Sequence, residues 1–283
     1  MIPPRLTNLT ILAIFFSCPI LAATADPGQG AELVRLHVAK ASEVRARRLP
    51  GNAGHIQVLF ERQTPRGLIG LIRLEIERGA VGLDELLRPD MVPELVYVLQ
   101  GLTELEVPES KAKHQLATGD LLYRPNRGTR FGWNGKNRQP VRLLLWALVP
   151  PTSAPLAPAK PMFRSIHGVR EYGLPGGKGV TKVALDQRIA TKAVVSLELL
   201  TMRRGGAMAE HAHPSQAEIW FVTQGSGTLR MEGQDVPLVA GHAVYLPPGV
   251  AHSFKATSKE VFTALRSYVP PGPEQHVQVG RKP

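Results

Sequence analysis

Residues 205–225 read GGAMAEHAHPSQAEIWFVTQG, and residues 241–256 read GHAVYLPPGVAHSFKA. On a β-strand the side-chain period is two, so His211 and His213 point to one face and can grip one ion together. Pro214, Ser215 and Gln216 read as a turn, and Ala217 to Thr223 as the next strand. Glu218 stands near the start of that strand, where an antiparallel neighbour brings its carboxylate beside the imidazoles. His252 follows the turn at Pro247-Pro248-Gly249, on a further strand. Three neutral imidazoles and one carboxylate suit a borderline divalent ion, and on an octahedral ion they leave two positions open. Open positions mark a site that binds ligand or does chemistry, in contrast to a closed structural site.

These two stretches resemble the two sequence motifs of the cupin superfamily. Both are present at the family's spacings, except that the second motif usually closes with Asn and here has Ala256. The resemblance implies an all-β fold of double-stranded antiparallel, jelly-roll-type barrels. It also implies one divalent transition metal, Mn(II) or Fe(II) foremost, held by His211, His213, Glu218 and His252. Glu218 is in addition the candidate catalytic group, a ligand that tunes the ion and shuttles a proton. If Glu218 faces inward, Trp220 and Val222 share its face, while Ile219 and Phe221 point the other way. Trp220, Tyr245 and Phe254 are the aromatic candidates for lining a substrate pocket.

From Leu49 the chain rehearses its own second half. Leu49-Pro50-Gly51 returns as Leu174-Pro175-Gly176, Gly79 as Gly205, ELVYVLQG from Glu94 as EIWFVTQG from Glu218, and Gly119-DLLYR-Pro125 as Gly241-HAVYL-Pro247. Near-constant spacing between such matches is the mark of a duplicated domain. The first copy lacks the ligands: AVGLDELLRPDMVP, residues 80–93, holds no histidine, and Arg127 and Arg130 replace the expected glycine and histidine. A metal-free first barrel is therefore expected, with Glu94 and Arg130 either a leftover ion pair or an anion site in the old pocket. The expected organisation is a leader at 1–25, an N-terminal segment at 26–48 and a degenerate barrel at 49–149. A proline-rich linker at 150–161 and the metal-binding barrel at 162–283 complete it.

Glycine and proline make up 52 of the 283 residues, a turn-rich composition that favours β structure over helix. The strand candidates include 193–202, AVVSLELLTM, and two closing strands, 141–149 and 261–269. Leu86-Leu87 and the segment from Val34 to Ala41 read as short helical turns. Arg5, the apolar run Leu9 to Leu21, and Ala23-Thr24-Ala25 read as an export signal with a small-x-small cleavage site. The mature chain then starts at Asp26 in the periplasm or outside a bacterial cell, with no stable membrane insertion. Cys18, the sole cysteine, lies within the leader, so the mature protein has no disulfide.

From Asp26 onward the chain carries 33 basic against 23 acidic side chains. This balance favours an anionic small molecule as partner. The basic residues occur in scattered pairs without interleaved aromatics, which speaks against nucleic acid. Arg203 and Arg204, just ahead of the first motif, are placed to draw a carboxylate toward the ion. The ligand set resembles that of the germin, oxalate decarboxylase and quercetinase group, which implies oxidase, oxygenase or decarboxylase chemistry on a small oxygen-rich substrate. A sugar or sugar-acid isomerase or lyase, and a non-catalytic periplasmic binding protein, use the same fold. The chain fits a monomer as well as a homo-oligomer.

Overall fold

The computed structural model describes residues 37–64, 67–79, 94–107, 111–124, 132–134, 139–149, 161–190 and 193–275. The expected leader, the helical turn at Leu86-Leu87, Arg127, Arg130 and the linker as far as residue 160 lie outside the described residues. The first strand, β1 (His37–Lys40), precedes the first half, whose strands are β2 (Arg47–Arg48), β3 (Gly54–Thr64), β4 (Gly67–Ile76), β5 (Glu94–Gln100), β6 (Leu102–Val107), β7 (Ala112–Ala117), β8 (Asp120–Arg124), β9 (Gly132–Asn134) and β10 (Val141–Val149). The connecting strand β11 (Met162–Ser165) leads to the second half: β12 (Glu171–Gly173), β13 (Gly179–Leu185), β14 (Leu197–Met202), β15 (Ala207–His211), β16 (Ala217–Gln224), β17 (Ser226–Met231), β18 (Gln234–Val239), β19 (His242–Leu246), β20 (His252–Ala256) and β21 (Phe262–Val269).

Each half is a large sheet backed by a small one. The large sheets run β11-β8-β5-β10-β4-β3-β2 and β1-β19-β16-β21-β14-β13-β12, and they match position for position. The small sheets run β7-β6-β9 and β15-β20-β17-β18. All pairings are antiparallel. This is an all-β, twice-repeated antiparallel architecture of paired sheets, as the repeated sequence leads one to expect.

Two strands cross the expected domain boundaries. His37–Lys40 forms no helical turn but pairs with β19 of the second half, His37 opposite Tyr245. Conversely, β11 pairs with β8 of the first half, Met162 opposite Tyr123. Divisions at residues 48 and 162 thus separate each large sheet from its own edge strand. The reason is the sheet edge itself: a row of unpaired N–H and C=O groups accepts whichever strand reaches it.

The large sheets are buried on both faces, so their strands read as nearly unbroken apolar runs. On β16, Ile219 and Phe221 join a cluster that also contains Leu71, Leu95, Leu144 and Trp146 of the first half. Trp220 and Val222 instead join Leu229, Phe254 and Phe262 between the large and small sheets of the second barrel. The alternation expected from the sequence is therefore present, and it sends the Glu218 face into the second barrel.

Candidate metal centre

Four side chains meet between the two sheets of the second barrel. Glu218 comes from the large sheet, opposite Leu246 on one neighbour and Tyr268 on the other. His211 and His252 come from the small sheet and stand directly opposite each other. The strand ends at His211, after an irregularity in the register, so His213 lies just beyond it and not on it. The His213 carbonyl accepts from Gly249 N–H at 2.9 Å, tying this segment to the Pro247-Pro248-Gly249 turn. One ligand atom from each of the four residues lies within 4.8 Å of the others. This cluster fits a metal site.

The hydrogen bonds orient the imidazoles for it. His211 Nδ1 lies 2.8 Å from the Ala209 carbonyl and His252 Nδ1 lies 2.9 Å from that of Val250. A carbonyl only accepts, so both Nδ1 atoms carry the proton and both Nε2 atoms present a lone pair, the usual second-layer arrangement of metal-binding histidines. Glu218 Oε2 is 2.9 Å from His252 Nε2 and 3.3 Å from His213 Nε2. These three buried atoms make no hydrogen bond of ordinary geometry. Glu218 Oε2 and His252 Nε2, two acceptors facing one another, require a shared proton or a cation. Burial lowers the His211 pKa, favouring the neutral ligand form. Burial opposes the charge on Glu218, but His213, His252 and Arg266 outweigh it and hold the carboxyl well below its ordinary range.

Behind the four lies a layer of buried polar side chains, of which only Trp220 is a candidate from the sequence. Trp220 Nε1–H donates to Glu218 Oε1 at 2.7 Å, and Arg266 Nη1 is 3.6 Å from the same oxygen. Arg266 forms an ion pair through Nε with Glu198 Oε1 and approaches Met208 Sδ at 3.1 Å through Nη1. Glu198 also accepts from Thr181 Oγ1 at 2.9 Å and from the Tyr268 hydroxyl at 3.3 Å. The Tyr268 ring lies edge-on to His213, 5.1 Å between centroids. Glu198 and Arg266 carry their own sequence signal: each is a lone charge inside an otherwise apolar strand, SLELL and ALRSY.

Three expectations about surrounding residues need correction. Tyr245 is opposite Ile219 and shares its face, so it packs in the cluster joining the halves, with its hydroxyl donating to the Gln63 carbonyl at 3.0 Å. Trp220 and Phe254 do lie inside the second barrel, but as buried core, with rings 5.1 Å apart. Arg203 and Arg204 are exposed at the far end of β15. Gly205 beside them bonds to Ala256, the far end of the strand that begins at His252. At about 3.4 Å per residue this puts them on the order of 14 Å from the cluster.

Glu274 is a further buried acid that the motifs did not reveal. It is fully buried, and its Oε2 accepts from Gly272 N–H at 2.9 Å. Burial pushes its pKa up to about 7, with Glu198 and Asp186 adding to the rise. The folded protein thus holds this proton more tightly than the unfolded chain. The stability it contributes is complete below about pH 4.5 and is lost as pH rises through about 7. Glu274→Gln is expected to abolish that loss, worth roughly 3 kcal/mol. Urea midpoints of metal-free protein at pH 5 and pH 8 read it, and identical pH dependence in the two proteins refutes the assignment.

Known proteins resemble this chain in part of its sequence and in its fold. The cupin domain model matches residues 198–268. An oxalate-binding protein of Thermotoga maritima is 27% identical over 90 residues, covering 31% of this chain and 74% of the relative. The crystal structure of a glyoxylate-induced protein from Pseudomonas aeruginosa superposes with a TM-score of 0.68 at 14% identity, covering 87% of this chain and 91% of the other. Bacillus subtilis oxalate decarboxylase gives 0.62 at 14%, covering 86% and 83%, and the coconut allergen cocosin gives 0.63 at 16%, covering 85% and 86%. The structural matches span both halves and share the fold.

Proposed function

Starting from a two-barrel cupin fold with a cupin domain at residues 198–268, we propose an exported enzyme of the oxidase or decarboxylase type. It acts on a small oxygen-rich anion at one Mn(II) or Fe(II) ion held by His211, His213, Glu218 and His252. The observation that carries this reading is the convergence of His213 Nε2, His252 Nε2 and Glu218 Oε2 in a buried spot with no hydrogen bond of ordinary geometry among them. The Mn(II) centres named for the Bacillus subtilis oxalate decarboxylase support manganese. When bound, the ion supplies Lewis acidity and a place for oxygen to meet substrate.

The chain's own residues set what can bind there. Glu198 and Arg266 offset each other, so Glu218 is left as one negative charge against a divalent ion. The centre is then net positive and favours an anionic oxygen ligand at the open positions. The barrel wall behind the ligands is closed by Trp220 and Phe254, which keeps water out from that side. His211 and His213 are only partly buried, so access comes from their side. Glu218 Oε2 faces the imidazoles and can hold a proton shared with His252 before the ion is loaded.

Oxalate and related small carboxylates are the substrates to test, because the Thermotoga relative is named for binding oxalate. Manganese-reconstituted protein is expected to release carbon dioxide or consume oxygen with at least one of them. Tight binding without turnover selects the binding-protein reading that the same relative supports, and neither binding nor turnover across the panel rejects both. Export predicts that protein recovered from a bacterial periplasm begins at Asp26. An intact N-terminus by mass spectrometry sinks that part of the proposal.

A further inference from the structure

We infer that Arg266, anchored by Glu198, is a positioning residue that restricts Glu218 to a single oxygen toward the metal. Metal binding at the cluster is the reading on which this rests. Glu218 has two oxygens, and without restraint a carboxylate swings to offer either or both to an ion. Here Oε1 accepts from the Trp220 indole N–H at 2.7 Å and faces the positive charge of the Arg266 guanidinium at 3.6 Å, an ion-pair contact beyond hydrogen-bond length. Oε2 alone faces His213 and His252.

Arg266 is itself immobilised. Its Nε is paired to Glu198, which is fully buried, and Thr181 and Tyr268 fix that carboxylate in turn. The guanidinium lies 5.8 Å from the Trp220 ring and 5.5 Å from the Tyr268 ring, sandwiching it in the strand neighbourhood of the ligand. A rigid fork of this kind holds direction as well as charge, which a flexible ammonium does not.

The first barrel supplies an internal control. Glu94 pairs with Ala147 in register as Glu218 pairs with Tyr268. Counting two residues along, Leu145 stands where Arg266 stands and Val96 where Trp220 stands. Across the next pairing, Ile72 opposes Leu145 as Glu198 opposes Arg266. Ile72, Val96, Leu145 and Ala147 are all buried. The same sheet therefore packs with an aliphatic pair at these positions, so folding does not require the Glu198–Arg266 pair. Replacing buried ion pairs by apolar residues is often neutral or stabilising, so the pair's retention beside the ligands points to the site.

The test transplants the first barrel's solution into the second. Full-length wild type, the double variant Glu198→Ile/Arg266→Leu, and Arg266→Lys are compared in three measurements. These are Mn(II) affinity by titration, the zero-field splitting of bound Mn(II) by electron paramagnetic resonance, and the melting temperature without metal. The double variant is expected to melt near wild type but to bind Mn(II) about 10–100-fold more weakly, the usual cost of losing an outer-layer partner. Its spectrum changes because Glu218 Oε1 is then restrained by the Trp220 indole N–H alone. Arg266→Lys keeps the charge and is expected to show the altered spectrum with a smaller loss of affinity. Unchanged affinity and spectrum in the double variant overturn the inference, whatever its melting temperature. If that variant does not fold, the same two readouts on Arg266→Lys decide. A wild type that binds no divalent metal overturns the metal reading and this inference with it, whereas metal-binding wild type with unaltered variants overturns this inference alone.

Discussion

Purified protein is expected to carry about one equivalent of manganese or iron per chain, and Glu218→Ala to carry almost none. Removing Glu218 takes away the only uncompensated negative charge in the cluster and leaves three neutral imidazoles to hold a divalent ion. The loss should exceed the ~10–100-fold that outer-layer changes cost. His211→Ala is expected to be second in severity, since its ring is only partly buried and three donors remain. Elemental analysis after dialysis reads both. Two equivalents in wild type, or equal metal in the variants, would defeat a single site at these residues. The same logic extends to stability. A chelator should lower the melting temperature of the wild type and leave Glu218→Ala unmoved, since a ligand at one hundred times its Kd stabilises by about 2.7 kcal/mol.

Glu198→Ala is expected to cost about 3–5 kcal/mol in unfolding free energy, a large share of what a domain possesses. The mutation deletes one half of a buried pair. Arg266, 4% exposed, then has no adjacent carboxylate except the more distant Glu218, and the Tyr268 and Thr181 hydroxyls lose their acceptor. Breaking such a pair is costly where replacing it whole is not, so the single variant should be much less stable than Glu198→Ile/Arg266→Leu. Chemical denaturation of metal-free protein separates them. A single variant within 1 kcal/mol of wild type, on the scale of ordinary surface changes, would show that water reaches Arg266.

The ligands and the duplication were legible in the sequence because both rest on short-range spacing. His211, His213, Glu218 and His252 announce themselves by residue type, and two copies of one pattern announce each other. Face assignment was legible only where an anchor existed. Trp220 could be placed from Glu218, two residues away on the same strand. Tyr245 could not, because its sheet is buried on both sides and an aromatic residue gives no sign of which side it takes. Arg203 and Arg204 misled through closeness in sequence to His211, since an extended strand carries that closeness to the other end of the barrel. The strand at His37–Lys40 was invisible for a different reason: HVAK has no periodicity to read, and its partner lies some two hundred residues away.

That last pairing governs the order in which the molecule can be completed. During synthesis the chain emerges from its N-terminus. The segment at His37–Lys40 therefore waits for nearly the whole polypeptide before β19 exists to receive it. Met162–Ser165 needs only β8, some forty residues behind it, and can close the first barrel early. The first barrel can thus form while the second is still being made, but the second is sealed only by a strand threaded back from the beginning. The half that holds the His211, His213, Glu218 and His252 cluster matures last, with a sheet edge open to other chains until then.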